Sequence, residues 1–207
     1  MSAFSKPSFA APPRPSVHTA RRRCLGHIVA MGAAGTLALS SPARALLSDP
    51  QLLQRPRSLW VTRPQSGEVV RAVYWADQQI QWEGYEALNH LYRDLHAQAQ
   101  QPIALGLLHL NFLMQTALAL WRRSRPLVLL SGYRTRRTNA EVGGSAGNIH
   151  GTGQADDYVY EGLSLPENLA LARAFQVGGL GFYPERGSLH KDVGPLRSWV
   201  GRGPAGH

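Results

Sequence analysis

His150-Gly151-Thr152-Gly153-Gln154-Ala155-Asp156-Asp157-Tyr158-Val159-Tyr160 changes character halfway along. Its first half is loop chemistry, in which Gly151 and Gly153 permit tight turns. Its second half, Ala155 to Tyr160, has the composition of a strand. His150 and Asp157 are too far apart for one helical turn but close enough for a loop His and a strand Asp to converge on one ion. Imidazole and carboxylate both suit zinc. A second His lies downstream in Ser188-Leu189-His190-Lys191-Asp192. Alternate residues of an extended chain share a face, so His190 and Asp192 point together, opposite Leu189 and Lys191. The same alternation turns Asp156 away from Asp157, as a structural or solvent-facing group. Three protein ligands leave a fourth position for a water, whose pKa zinc lowers to about 7. The spacing by itself does not separate such a triad from ordinary packed or surface histidines.

Working outward, Leu59 to Val61 and Val69 to Trp75 have β-type composition, with Ser66-Gly67 as the turn between them. Glu86 to Ala99 reads as a helix, with Leu88, Leu91, Tyr92 and Leu95 at spacings of three and four. Pro102 opens the next helix, whose apolar face is Leu105, Leu108, Leu113, Ala117 and Leu120. Leu127 to Leu130 reads as a buried strand feeding Ser131-Gly132-Tyr133-Arg134. Leu165 to Phe175 reads as a helix, with Pro166 in its first turn. Gly178 to Tyr183 and Ser188 to Val193 form a pair of strands around a loop. The expected fold class is α+β, with helices packed on a small, mainly antiparallel sheet that carries a zinc site. Residues 46–57 are expected as a loosely docked lead-in, 58–202 as a single domain and 203–207 as a tail.

Residues 1–45 read as an export signal. Basic Arg21-Arg22-Arg23 precedes an apolar stretch of small residues, His27 to Ser40, and then Ala43-Arg44-Ala45, a small-x-small cleavage site. Arg21-Arg22-Arg23-Cys24-Leu25 resembles a twin-arginine signal, with Cys24 in place of the commoner aromatic residue. The apolar stretch is short for a membrane anchor, which needs roughly 20 apolar residues. The chain carries 22 Lys+Arg against 13 Asp+Glu, a net +9. Six of the basic residues and none of the acidic ones lie in the signal, which leaves 16 against 13 in the mature part. The basic balance therefore gives no support for nucleic-acid binding. Cys24, the single cysteine, also lies in the signal, so the mature part forms no disulfide and offers no thiolate ligand or nucleophile. The expected location is the periplasm, with the twin-arginine translocase as partner during export and no stable membrane span after cleavage.

Several further motifs join the opening stretch: Ser131-Gly132-Tyr133-Arg134-Thr135, Asn139, Val142-Gly143-Gly144, His190-Lys191-Asp192, Leu88-Asn89-His90-Leu91-Tyr92-Arg93-Asp94, and Gly178 to Pro184 followed by Val193 to Trp199. Together they resemble the zinc D-Ala-D-Ala metallopeptidase superfamily, and within it the murein endopeptidases with twin-arginine-exported relatives. The resemblance runs from about Arg57 to Trp199. It implies the hedgehog/D-Ala-D-Ala peptidase-like fold, with His150, Asp157 and His190 as ligands to Zn2+. It places Arg134 beside the substrate carbonyl, where a fixed guanidinium stabilises an oxyanion; a salt bridge to an acidic neighbour is the alternative. Tyr133 and Asn148 are implied as substrate-binding, although Asn148 stands where relatives carry serine.

Gly187 stands where several superfamily members have a general-base carboxylate, three positions before the second His. Asp192 is the first candidate to take that role, or else orients a ligand or Arg134; Glu185 is a further candidate. His90, His96, His109 and the five tryptophans are read as packing or surface groups, and Arg136-Arg137 as a solvated turn or an attractor of anionic wall polymer. The function expected is hydrolysis of peptidoglycan peptide cross-links, including the 3-3 link between two diaminopimelate residues. The alternatives are a D,D-carboxypeptidase or dipeptidase on D-Ala-D-Ala stem ends, and a degenerate zinc protein that binds wall peptides.

Overall fold

A computed structural model describes residues 46, 49–145, 147, 149–175 and 178–201. The export signal, Asn148 and the 203–207 tail lie outside these residues. Strands β1 (Arg57–Arg63) and β2 (Glu68–Ala76) form an antiparallel hairpin. Gly67, at φ +70°, closes its turn in the left-handed region that a glycine tolerates. The short β3 (Gln79–Ile80) folds back on β2. β4 (Leu127–Ser131) lies beside β1 and is followed by β5 (Ala155–Tyr160), β6 (Gly179–Tyr183), β7 (Ser188–Asp192) and β8 (Arg197–Val200). Among the described residues these make one eight-stranded sheet in the order β3-β2-β1-β4-β5-β7-β6-β8. All its pairings are antiparallel except β1–β4 and β6–β8. The α+β class and the mainly antiparallel sheet are therefore as expected.

Among the described residues the helices α1 (Pro50–Gln54), α2 (Trp82–Leu91), α3 (Leu105–Leu120), α4 (Arg136–Glu141) and α5 (Leu165–Ala174) accompany it. α1 replaces part of the expected loose lead-in. Asp49 caps it, and Leu46 and Leu52 are buried in the core. Arg57 opens β1 rather than ending the lead-in. α2 starts earlier and stops earlier than the apolar spacing suggests, and a tertiary contact explains the stop. The Arg63 guanidinium Nη1 donates to the carbonyls of Leu91 and Arg93, each at 2.6 Å. The Asp94 carboxylate then accepts from His96 N and Ala97 N, at 3.0 and 3.1 Å, and turns the chain away.

α3 begins at Leu105, beyond Pro102, and its buried face is rotated from the expected one. Leu107, Leu108, Leu110, Met114, Ala117 and Leu118 pack inward, whereas Leu120 is 66% exposed. Inside this face sits His109, whose Nδ1 shares a 2.9 Å hydrogen bond with Tyr74 OH. α5 carries the capping box of Ser164 and Glu167, in which each side chain satisfies the other's backbone N–H. α4, capped by Thr135, takes up the Arg136-Arg137 pair, read above as a solvated turn or an attractor of anionic polymer.

Candidate metal centre

Strand register assembles the centre. β5 and β7 pair Asp157 directly with His190, and β4 pairs Ser131 with Asp157. A 3-10 turn, Ile149–Thr152, carries His150 in from the loop before β5. One ligand atom from each of His150, Asp157 and His190 lies within 4.8 Å of the others, so the three can hold a metal ion. Both His side chains are buried and Asp157 is partly exposed.

The partners assign the tautomers. His150 Nδ1 donates to the Gly132 carbonyl at 2.8 Å. This leaves the Nε2 lone pair facing His190 Nδ1 at 3.1 Å and Asp157 Oδ1 at 3.5 Å. His190 Nε2 donates to Asp192 Oδ2 at 3.0 Å, and its Nδ1 lies 3.0 Å from Asp157 Oδ1. Two imidazole lone pairs and a carboxylate oxygen thus converge with their outer nitrogens already committed. A cation fits that donor set, and its two nitrogens and one oxygen match zinc chemistry.

Carboxylates and bases stabilise one another across the cluster. Burial pushes the Asp157 carboxyl up, but His150, His190 and Arg134 outweigh it and hold the group well below the usual carboxylate range. Burial lowers His190, but the carboxylates of Asp157 and Asp192 raise it overall. Burial also raises Asp192, against a larger lowering by His190, the N–H groups of Gly179 and Gly194, and Arg197, so this carboxyl is held ionised.

Around the cluster, Arg134 Nε donates to Ser131 Oγ at 2.7 Å and its Nη2 to Asp157 Oδ2. Arg134 makes the salt bridge that was one of its two expected roles, and it lines the cleft. Tyr133 also lines the cleft, with its N–H donating to Tyr92 O at 2.8 Å. A Cβ on Gly132 would lie 2.5 Å from that same Tyr92 carbonyl, so only glycine allows this approach.

Asp192 requires a correction as a catalytic candidate. Its side chain is 0% exposed and lies outside the cleft lining, where it accepts from His190, Gly179 N, Gly194 N and Arg197. Alternation does bring it to His190, but behind the ring. Glu185 is exposed and is not among the cleft-lining residues. Gly187 is at φ +63°, with open space where a side chain would be. Asp156 is fully buried and structural rather than solvent-facing. It accepts from Lys191 Nζ at 2.6 Å, Asn111 Nδ2 at 2.9 Å and Tyr92 OH at 3.1 Å.

The cluster lies in a cleft of about 810 Å3. Tyr183, Arg186, Arg197 and Trp199 complete one wall, and the sequence reading assigned none of them to the site. Trp199, read as packing, lies with its ring centroid 5.2 Å from that of His190 and donates from Nε1 to Tyr183 OH at 2.9 Å. Gly181 makes room for the indole, since a Cβ there would meet it at 2.7 Å. The available signal was the pair of segments Gly178 to Pro184 and Val193 to Trp199, whose glycines mark this close approach. His96 lines the cleft from a turn, whereas His90 faces solvent near Glu68 and His109 is a packed core group.

The chain is similar to the peptidoglycan L,D-endopeptidase MepK of Escherichia coli K12, with 35% identity over 176 residues, covering 83% of this chain and 91% of that protein. The MepK of Shigella flexneri matches to the same extent. The probable MepK of Haemophilus influenzae is 27% identical over 82% of this chain and 90% of its own length. No solved structure matches the chain. The family model described as peptidoglycan L,D-endopeptidase MepK matches residues 51–199, a span that contains the whole cluster and cleft wall, and the chain therefore belongs to that peptidase family, Peptidase_M15_2.

Proposed function

We propose that the chain is a zinc-dependent peptidoglycan endopeptidase that hydrolyses peptide cross-links, and that its bond is the 3-3 link between two diaminopimelate residues. The observation that carries this reading is the convergence of His150, Asp157 and His190 on one sheet face inside the cleft, with Arg134 at the outer oxygen of Asp157. The relatives' description as L,D-endopeptidases supports the choice of bond, because a 3-3 link joins an L centre to a D centre. Residues 1–45 act as a twin-arginine signal that delivers the enzyme to the periplasm; their order of basic, apolar and small-x-small segments supports this. Among the described residues no helix is long and apolar enough to cross a membrane.

In this reading His150, Asp157 and His190 hold the zinc, which supplies a Lewis acid for the amide carbonyl and lowers the pKa of a water. The chain's own residues bind, orient and shield the reacting groups. Ser131 and Asp157 fix the Arg134 guanidinium, which donates to the oxyanion that develops on the cleaved amide. Asp192 accepts the outer N–H of His190 and fixes its ring, as a positioning residue. Trp199 covers the His190 ring and limits water there. Tyr133 and Asn148 bind the peptide near the carbonyl.

Digestion of purified sacculi by the mature, zinc-loaded protein tests the reading. Cross-linked dimers are expected to disappear as monomers accumulate. Shortened stems with the dimers intact would establish a carboxypeptidase instead.

A further inference from the structure

Four arginines line the cleft: Arg63, Arg134, Arg186 and Arg197. Three are committed within the protein. Arg63 donates to the Leu91 and Arg93 carbonyls, Arg134 to Ser131 and Asp157, and Arg197 to Asp192 and the Pro195 carbonyl. Arg186 differs. Its side chain makes no ion pair or hydrogen bond among the described residues, and its guanidinium carbon lies 5.3 Å from the centroid of the Tyr183 ring. A ring face orients a guanidinium while leaving its N–H fork available. The ring is itself held in place, because Tyr183 OH accepts from Trp199 Nε1.

The two acids of the lining do not answer this charge. Asp94 accepts from the backbone N–H groups of His96, Ala97 and Thr135, and Asp157 is taken by His190 and Arg134. Topology separates Arg186 from Arg134. β4 and β6 flank the β5–β7 pair on opposite sides and run in opposite directions. Arg134 follows the end of β4 and Arg186 the end of β6, so the two are rooted on opposite sides of the β5–β7 pair that carries Asp157 and His190. Both line the cleft that holds the cluster.

We propose that Arg186 is a specificity-determining residue that binds a free carboxylate of the cross-linked peptide, across the β5–β7 pair from Arg134. The proposal rests on the endopeptidase reading. Joining two diamino-diacids through one amide leaves unreacted carboxyl groups beside the bond to be cut, and a guanidinium fork matches a carboxylate. Converting the carboxylate to a carboxamide keeps its size and removes its charge.

Steady-state cleavage of two probes tests this: a 3-3 cross-linked muropeptide dimer with free diaminopimelate carboxylates, and the same dimer amidated. For the wild type, amidation is expected to raise KM about tenfold with kcat little changed, the scale of one charge-assisted contact near solvent. Arg186→Gln is expected to raise KM for the free-acid dimer by a similar factor and to respond no further to amidation, and Arg186→Lys to recover part of the loss. Unchanged zinc content and melting temperature in both variants would exclude a folding defect, and the wild-type contrast between dimers requires no variant. A wild type indifferent to amidation, or an amidation effect that persists in full in Arg186→Gln, would overturn the proposal alone. A wild type that consumes neither dimer would overturn the endopeptidase reading and the proposal with it.

Discussion

Asp192 touches the cluster at the back of the His190 ring. Its fully buried carboxylate accepts the hydrogen bond from Nε2–H, which turns the Nδ1 lone pair toward Asp157 and His150. Weakening that contact loosens a ligand without removing it. Asp192→Asn is expected to lower zinc affinity about 10–100-fold, as for other partners of metal-bound histidine, measured by competition with a chromophoric chelator. A base would behave differently: zinc affinity would hold and turnover alone would fall. The sequence did reveal that Asp192 shares a strand face with His190. Which side of the ring it occupies depends on Gly179, Gly194 and Arg197, three contacts formed by distant pairing and a following turn.

At the scale of elements, close backbone approaches fix the frame that carries the ligands. α2 crosses β2 so tightly that a Cβ on Gly84 would lie 2.0 Å from the Val73 carbonyl oxygen. Backbone cannot yield as a side-chain tip does, so Gly84→Ala is expected to destabilise the fold by about 3 kcal/mol, read as a lower midpoint in urea. β1, β2, β4, β5, β6 and β7 were legible because alternation, β-rich composition and turn glycines agree locally. α2 was legible only in part, since its end is imposed by Arg63 from another strand. α4 and β8 were not legible. Arg136–Glu141 is short and polar, and Arg197–Val200 is an edge strand held by parallel pairing to β6. The cleft wall was missed for the same reason, because Trp199 and Tyr183 meet only through that pairing.

For the whole molecule, the core holds a titratable group that couples stability to pH. His109 is buried against Tyr74 and Trp75, and burial, aided by Arg57, lowers its pKa to about 3. The folded-state pKa lies below the unfolded value of about 6.5. The unfolded chain therefore binds the extra proton first, so this contribution is complete above pH 6.5 and is lost as pH falls from there toward 3. Between pH 7 and pH 5 the loss is about 2 kcal/mol. His109→Gln is expected to flatten that part of the profile, measured as the difference between wild-type and variant unfolding free energies at the two pH values. The meeting of His150, Asp157 and His190 was the most legible part of the candidate site, since a loop His, a strand Asp and a second strand His need only register to meet. In the proposed function these three residues hold the zinc with which the enzyme cuts peptidoglycan cross-links. The most direct test is to strip the mature protein with a chelator, re-add one equivalent of zinc, and follow cross-linked dimers in digested sacculi. Consumption of dimers is expected to stop on stripping and to return with zinc in the wild type but not in Asp157→Ala; continued consumption by the stripped protein would contradict the claim.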